Sequence, residues 1–307
     1  MLRLYGALIG LSLIWGLSFV FMKWLLPPAG IWGIVFLRCL AGAVVLLPIL
    51  WWKRSEINWK LPWTALVVVG IFNCGLAWGL IALSETEINS STASILNATT
   101  PIWTGIIGFI IFSYVLTARQ WMGILIGFLG ILVLMDFQVG QLFGKEFIGI
   151  GTMLLASTCY GFAGQYTKRF LSSTSILVIT AFTLLTGAII GLIGMLITGP
   201  INPVMLMDPL TIFSIIGLGC FGSGIGQLIY FYINKNGSPE LAATVTYLIP
   251  ASAMVWGYVL LGEAINPHVI IGLLIIFAGV YLSSKKSKEN DGADSSSGKQ
   301  GELHHVK

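Results

Sequence analysis

The chain is divided into apolar runs, each about the length that crosses a bilayer. A transmembrane helix needs about 20 predominantly apolar residues. Ten such runs lie at 5–25, 31–52, 62–84, 90–112, 119–136, 147–168, 174–198, 209–233, 240–261 and 267–284, each bounded by charge, Pro or Gly. Lipid offers no hydrogen bonds, so runs of this kind must satisfy their own backbone and fold as helices. Composition agrees, because only 9 % of the residues are charged, against about 25 % in a soluble domain. That is too little charge for a soluble surface or a nucleic-acid face, and no nucleic-acid partner is expected. The expected fold is an all-α polytopic membrane protein with ten transmembrane helices, and the lipid bilayer is its first partner. The run at 5–25 follows Arg3 but is too long for a signal peptide and lacks a small-residue cleavage site, so it is read as the first span.

Ten spans put both ends of the chain on one side. With the N-terminus inside, the inner segments hold Arg3, Lys53, Arg54, Lys60, Arg119, Lys168, Arg169, Lys235, Lys285, Lys286 and Lys288. The outer ends hold only Lys23 and Lys145, beside Glu85, Glu87, Asp136, Glu146, Asp208 and Glu263. This bias predicts a multi-pass protein of the cell (inner) membrane with both termini cytoplasmic. The polar segment 285–307 cannot bury a core and is expected to be a disordered cytoplasmic tail, with His304 and His305 in solvent. Cys39, Cys74, Cys159 and Cys220 fall inside apolar runs without a CxxC pair, so neither a disulfide framework nor a metal site is expected. No cofactor is called for.

The two halves resemble each other. A shift of 145 places Gly6, Ser12, Gly16 and Lys23 on Gly151, Ser157, Gly161 and Lys168, with Trp15 on Tyr160. A shift of 149 places Gly70, Phe72, Gly75, Ala93 and Pro101 on Gly219, Phe221, Gly224, Ala242 and Pro250, and Gly123 and Gly130 on Gly272 and Gly279. The expected units are 1–140 and 141–284, five spans each. An odd number of spans forces the second copy to enter upside down, and inverted repeats are a signature of secondary transporters.

These residues resemble a family. The five-plus-five arrangement is similar to the EamA-type members of the drug/metabolite transporter superfamily. The likeness rests on Pro101 with Gly123 and Gly130, on Pro250 with Leu261-Gly262-Glu263, Gly272 and Gly279, and on Arg38 in the second span. One departure stands out: the Gly262-Glu263 pair is Ser113-Tyr114 in the first copy. The resemblance implies export of small metabolites, commonly amino acids, through a cavity between the halves.

Polar groups inside a membrane are costly unless they face protein or water. Ser223, Gln227, Tyr230 and Asn234 share one face of the eighth span, and Ser90, Ser94, Asn97 and Thr104 one face of the fourth. Cys74, Trp78, Ile81 and Glu85 form the matching stripe of the third, and Ser157, Gly161, Gly164 and Lys168 a stripe of the sixth. Asn73 and Gln165 add amides to the third and sixth spans, and Trp15, Trp78, Tyr160 and Tyr247 are aromatics within spans. Each of these either lines a cavity or packs helices together. Arg38 is the one charge deep in a span, where it snorkels, ties helices through carbonyls or meets a substrate carboxylate. Pro101 and Pro250 each free a carbonyl one turn earlier, as a hinge or as a passive kink. Gly6/Gly10, Gly123/Gly127 and Gly187/Gly191 read as GxxxG packing pairs.

Gly217-Leu-Gly219-Cys-Phe-Gly222 fits GxGxxG, but no strand precedes it, and it reads as helix packing. No Walker A sequence and no nucleophile–base pair is present, so the chain is not read as an enzyme. No Asp or Glu lies near a span centre, which argues for downhill facilitation or for coupling through edge groups such as Glu85. The expected activity is alternating-access export of small neutral or zwitterionic metabolites. The rivals are transport of phosphorylated or nucleotide-linked sugars, and a membrane-embedded enzyme or scaffold.

Overall fold

The computed structural model describes residues 2–54, 60–113, 117–134, 145–199, 201, 203–236 and 245–284, and these contain helices and no strand. Six helices are long and apolar enough to cross a membrane: Arg3–Trp52, Trp63–Glu87, Ser90–Ile110, Phe147–Phe170, Ile176–Thr198 and Pro209–Ile233. Shorter apolar helices cover Leu248–Leu261 and Pro267–Gly279. The chain is thus a polytopic helical membrane protein. The side chain of Lys235 and the residues at 135–144 and 285–307 lie outside what the structure describes.

The helical run Leu2–Trp52 is not one rod. Gly30 interrupts it with φ 63° and ψ 179°, a conformation open to a residue without Cβ. The Arg38 guanidinium donates to the Met22 sulfur at 3.3 Å. In a straight helix, residues that far apart in sequence would be about 24 Å apart at 1.5 Å per residue. The run is therefore a hairpin, with arms α1 (2–29) and α2 (31–52).

The longer remaining helices are α3 (Trp63–Glu87), α4 (Ser90–Ile110), α5 (Ala118–Leu134), α6 (Lys145–Phe170), α7 (Ile176–Thr198), α8 (209–236), α9 (245–261) and α10 (Pro267–Ser284), and a single turn of helix covers Pro203–Leu206. Local chemistry sets several starts. The Asn89 side chain accepts from Thr92 N at 2.7 Å and Asp208 from Thr211 N at 3.1 Å, each satisfying an orphan donor of the first turn. Where the sequence puts a boundary between its fourth and fifth runs, α4 ends at Ile110 and α5 begins at Ala118.

Three π-helical stretches widen the helices: Gly70–Leu76 in α3, Ile216–Ile225 in α8 and Gly257–Leu261 at the end of α9. The 149-residue shift carries the first into the second. The same shift carries Ser113, the non-glycine residue with positive φ (59°) among those described, onto Gly262 (φ 67°). It also relates the two sides of the α5–α10 crossing. A Cβ on Gly130 would lie 2.7 Å from Ile276 N, and a Cβ on Gly279 would meet the backbone of Gly127. Residues 130 and 279, and 127 and 276, are the shifted pairs, so this is a self-complementary contact.

The hairpin packs against α7, α8 and α9, while α6 packs against α3 and α4. Gly187 and Gly191 of α7 take Cys39, Cys74 and the Phe36 backbone into their missing side-chain space, as a GxxxG face should. Gly6 and Gly10 do not: nothing lies within 4 Å of a Cβ at either. Their face of α1 also carries exposed Tyr5, Ile9 and Leu13, so it points at lipid rather than at a helix. The GxGxxG stretch packs as expected, Gly217 on Phe21, Gly219 on Ala41 and Gly222 on Ser18. Exposed Trp51, Trp52 and Trp63 stand near helix ends, where amphipathic rings meet the headgroups.

Candidate functional site

Arg38 on α2 is 5 % exposed. Its guanidinium carbon lies 3.6 Å from the centroid of the Trp78 ring on α3, a stacked cation–π arrangement. Its Nε donates to Ser223 Oγ on α8 at 3.0 Å. Ser223 Oγ in turn donates to the Leu218 carbonyl at 2.9 Å, five residues back, a reach that the π-helical turn provides. Tyr160 of α6 lies beside Trp78 and within electrostatic reach of Arg38. Four helices thus bring Arg38, Trp78, Tyr160 and Ser223 to one place. Among the described residues no carboxylate forms an ion pair with Arg38.

Gln227 stands one turn beyond Ser223 and is 4 % exposed. Its Oε1 is buried and receives no hydrogen bond from the described residues. Trp15 of α1 closes this side: its Nε1 donates to the Gly222 carbonyl at 3.0 Å, and its ring lies 5.5 Å from that of Tyr230. Trp15, Arg38, Trp78, Tyr160, Ser223, Gln227 and Tyr230 therefore form a connected polar and aromatic group.

The other candidates lie elsewhere. Gln165 donates to the Thr104 carbonyl at 3.2 Å and Ser157 to the Leu96 carbonyl at 3.4 Å, both stitching α6 to α4. Asn97 accepts from Thr100 Oγ1 at 3.4 Å within its own helix, and Asn73 donates to the neighbouring Cys74 sulfur at 3.5 Å. The side chains of Tyr247 and Asn234 lie outside what the structure describes. The two prolines differ. α4 is interrupted between Asn97 and Thr100, and Pro101 opens its second piece, whereas Pro250 lies inside the unbroken helix Val245–Trp256.

The third-span stripe faces inward along its whole length, with Cys74, Trp78, Ile81 and Glu85 all buried. This corrects the reading of Glu85 as an edge group. Glu85 is 0 % exposed although it stands near the end of its span, because the turn from α3 to α4 folds over the bundle. Three elements clamp that turn. Lys23 of α1 donates to the carbonyls of Glu85 and of Ile88, the latter at 2.7 Å. Ser84 Oγ donates to the Gly149 carbonyl of α6 at 2.7 Å. Glu263, in the connection from α9 to α10, accepts from Ser90 N and Oγ at 2.8 Å each and from Ser91 N and Oγ at 3.2 and 2.8 Å. A carboxylate against the first amides of α4 is also where the helix dipole favours it. The sequence signal for this clamp was the Gly262-Glu263 pair that the first half lacks.

The sequence pattern of the EamA-like transporter family matches the chain twice, over residues 3–136 and 147–285. The chain belongs to the EamA-like transporter family. Among relatives, the uncharacterized inner membrane transporter YedA of Escherichia coli K12 is 27 % identical over 93 % of this chain and 92 % of its own length. The uncharacterized transporter YoaV of Bacillus subtilis is 23 % identical over 92 % of this chain and 97 % of its own. A solved structure described only as the crystal structure of a protein shares the fold, with a TM-score of 0.65 and 15 % identity over 90 % of this chain and 94 % of that one. In a family of membrane transporters, the group around Arg38 is the candidate substrate site.

Proposed function

We propose that this protein exports small neutral or zwitterionic metabolites, amino acids among them, by alternating access. The transporting unit is ten transmembrane helices in two inverted five-helix repeats, 1–140 and 141–284, with both termini in the cytoplasm. The recurrence of the π turn, of the left-handed residue and of the α5–α10 contact under one shift supports the repeat. The Lys and Arg bias supports the orientation, and the inner-membrane name of YedA supports the location. On this topology the clamped α3–α4 end faces outward, and substrate enters from the cytoplasm.

The observation that carries the substrate class is Arg38, a buried cation that forms no ion pair among the described residues. Burying an unpaired charge costs several kcal/mol even after relaxation. A substrate carboxylate that accepts from the in-plane N–H groups of the guanidinium offsets that cost, and a substrate donor answers the unpartnered Gln227 Oε1. Trp15, Tyr160 and Tyr230 offer ring faces for an apolar or aromatic side chain. A phosphorylated sugar would call for a second cation, and none joins Arg38 among the residues described around it. The absence of a carboxylate at the span centres supports downhill exchange. The test is counterflow in proteoliposomes without an ion gradient. Amino acids should exchange and their methyl esters should not. Exchange of sugar phosphates alone, or exchange that demands a proton gradient, would overturn this reading.

A further inference from the structure

Glu85 is a second buried charge-bearing group, and substrate binding at Arg38 makes no use of it. Both of its carboxyl oxygens are buried and neither receives a hydrogen bond from the described residues. Its ionisable surroundings come from every side. Lys23 faces it from α1, Arg38 from α2 and Glu263 from the α9–α10 connection. Lys23 does not satisfy it, since the Lys23 ammonium is committed to the carbonyls of Glu85 and Ile88. A carboxylate in that position has lost its water and gained no donor, whereas the neutral acid loses far less on burial. The position is also in the last turn of α3, directly before the turn that Lys23, Ser84 and Glu263 clamp.

We propose that Glu85 is a proton-binding site that sets how readily the α3–α4 end opens. In the sealed state it holds a proton as the neutral acid. When the turn lifts and water arrives, the proton passes to water on that face and the carboxylate is hydrated. Resealing takes a proton back from the same face. No proton crosses the membrane in this cycle, so it coexists with downhill exchange of substrate and makes that exchange responsive to pH at the outer surface. The inference rests on the alternating-access reading for the identity of the opening end, and not on the identity of the substrate.

The test reads the gate directly. Cysteine is introduced at Ile88, which is buried under the turn, and separately at Thr86, which is exposed. Labelling by a membrane-impermeant maleimide is followed from either face of sealed vesicles between pH 5.5 and 8.5. The chain without the added cysteine gives the background from native thiols. The ratio of I88C to T86C labelling cancels the intrinsic pH dependence of thiol reactivity. One linked proton should raise that ratio with pH by up to about tenfold per unit. Glu85→Gln should flatten the ratio at its acid limit, and Glu85→Asp should keep the slope. A flat ratio in the unaltered gate overturns the proposal without any Glu85 variant. So does a slope that persists in E85Q, or an E85Q ratio at the alkaline limit. Labelling of I88C only from the inner face would instead overturn the topology. Failure of amino-acid counterflow would leave this result standing, since no substrate is present.

Discussion

Glu263→Gln isolates the strongest element of the clamp at the α3–α4 end. The carboxylate accepts four hydrogen bonds, two from Ser90 and two from Ser91, all between 2.8 and 3.2 Å. Glutamine is nearly the same size but keeps one acceptor oxygen, so one serine loses both of its bonds. Its new NH2 group faces donors it cannot accept from. Hydrogen bonds to a charged acceptor contribute about 1.5–3 kcal/mol each, and Glu263 is partly solvated, so the pair is worth about 2–4 kcal/mol. These bonds join the two halves of the chain across the sealed end, and opening that end must break them. The loss therefore falls on the sealed state and shifts the open-to-sealed ratio by roughly 30- to 1,000-fold. Maleimide labelling at I88C reads this shift, and at fixed pH it should rise at least tenfold in E263Q while expression holds. Labelling within twofold of the parent would refute the argument, because it would mean that the four bonds survive opening or contribute nothing to closure.

Three further outcomes follow from the packing. Gly279→Val drives a side chain into the Gly127 backbone at the α5–α10 crossing, where no flexible atom can yield, and should lower the melting temperature in detergent by an overpacking cost of about 1–3 kcal/mol; Gly6→Ala, facing open space, should leave it unchanged or raise it. Arg38→Lys keeps the charge but loses the planar stack on Trp78, and counterflow should fall at least tenfold with folding intact; unchanged kinetics would assign Arg38 to helix packing alone. Gln227→Leu removes an unpartnered buried oxygen, so stability should hold or improve while counterflow falls; a Leu variant that transports normally takes Gln227 out of the site.

The helices were legible because their signal is local. Length and apolarity place Trp63–Glu87, Ser90–Ile110 and Ile176–Thr198 within three residues of the runs read from the sequence. The hairpin was legible only as a boundary. Nothing in Pro27-Pro28-Ala29-Gly30 states that the helical backbone continues through both prolines and that the chain reverses at the glycine. The site was half legible. Cost in hydrocarbon singles out Arg38, Trp78, Tyr160, Ser223 and Gln227 one at a time. Their convergence depends on the π-helical turn of α8, which lets Ser223 bond five residues back and which periodicity at 3.6 residues cannot represent. Asn73 and Asn97 failed to join for the converse reason: each finds a partner within one turn, so burial imposes no need for a cavity.

Glu85 was misread because distance along a span is a poor measure of depth. A residue near the last turn of a helix meets water only if the following connection leaves the bundle. Here Ile88-Asn89 is short, and Glu263 pulls the start of α4 across the helix ends. The same geometry gives the two ends of the protein different chemistry. The position that carries Gly262-Glu263 at one end carries Ser113-Tyr114 at the other. Ser113 reproduces the left-handed backbone of Gly262, while the carboxylate that follows Gly262 has no counterpart in the first half. A symmetric scaffold with a latch at one end has unequal closed states, and the latched one is favoured by whatever its hydrogen bonds contribute. On the topology proposed here the latched end faces outward, which leaves the empty carrier sealed to the outside and open to cytoplasmic substrate. That is the resting state an exporter needs. Removing the latch should therefore weaken the preference: Glu263→Gln should lower labelling from the inner face and raise it at I88C. A variant whose labelling does not change on either face would show that the bias resides elsewhere in the bundle.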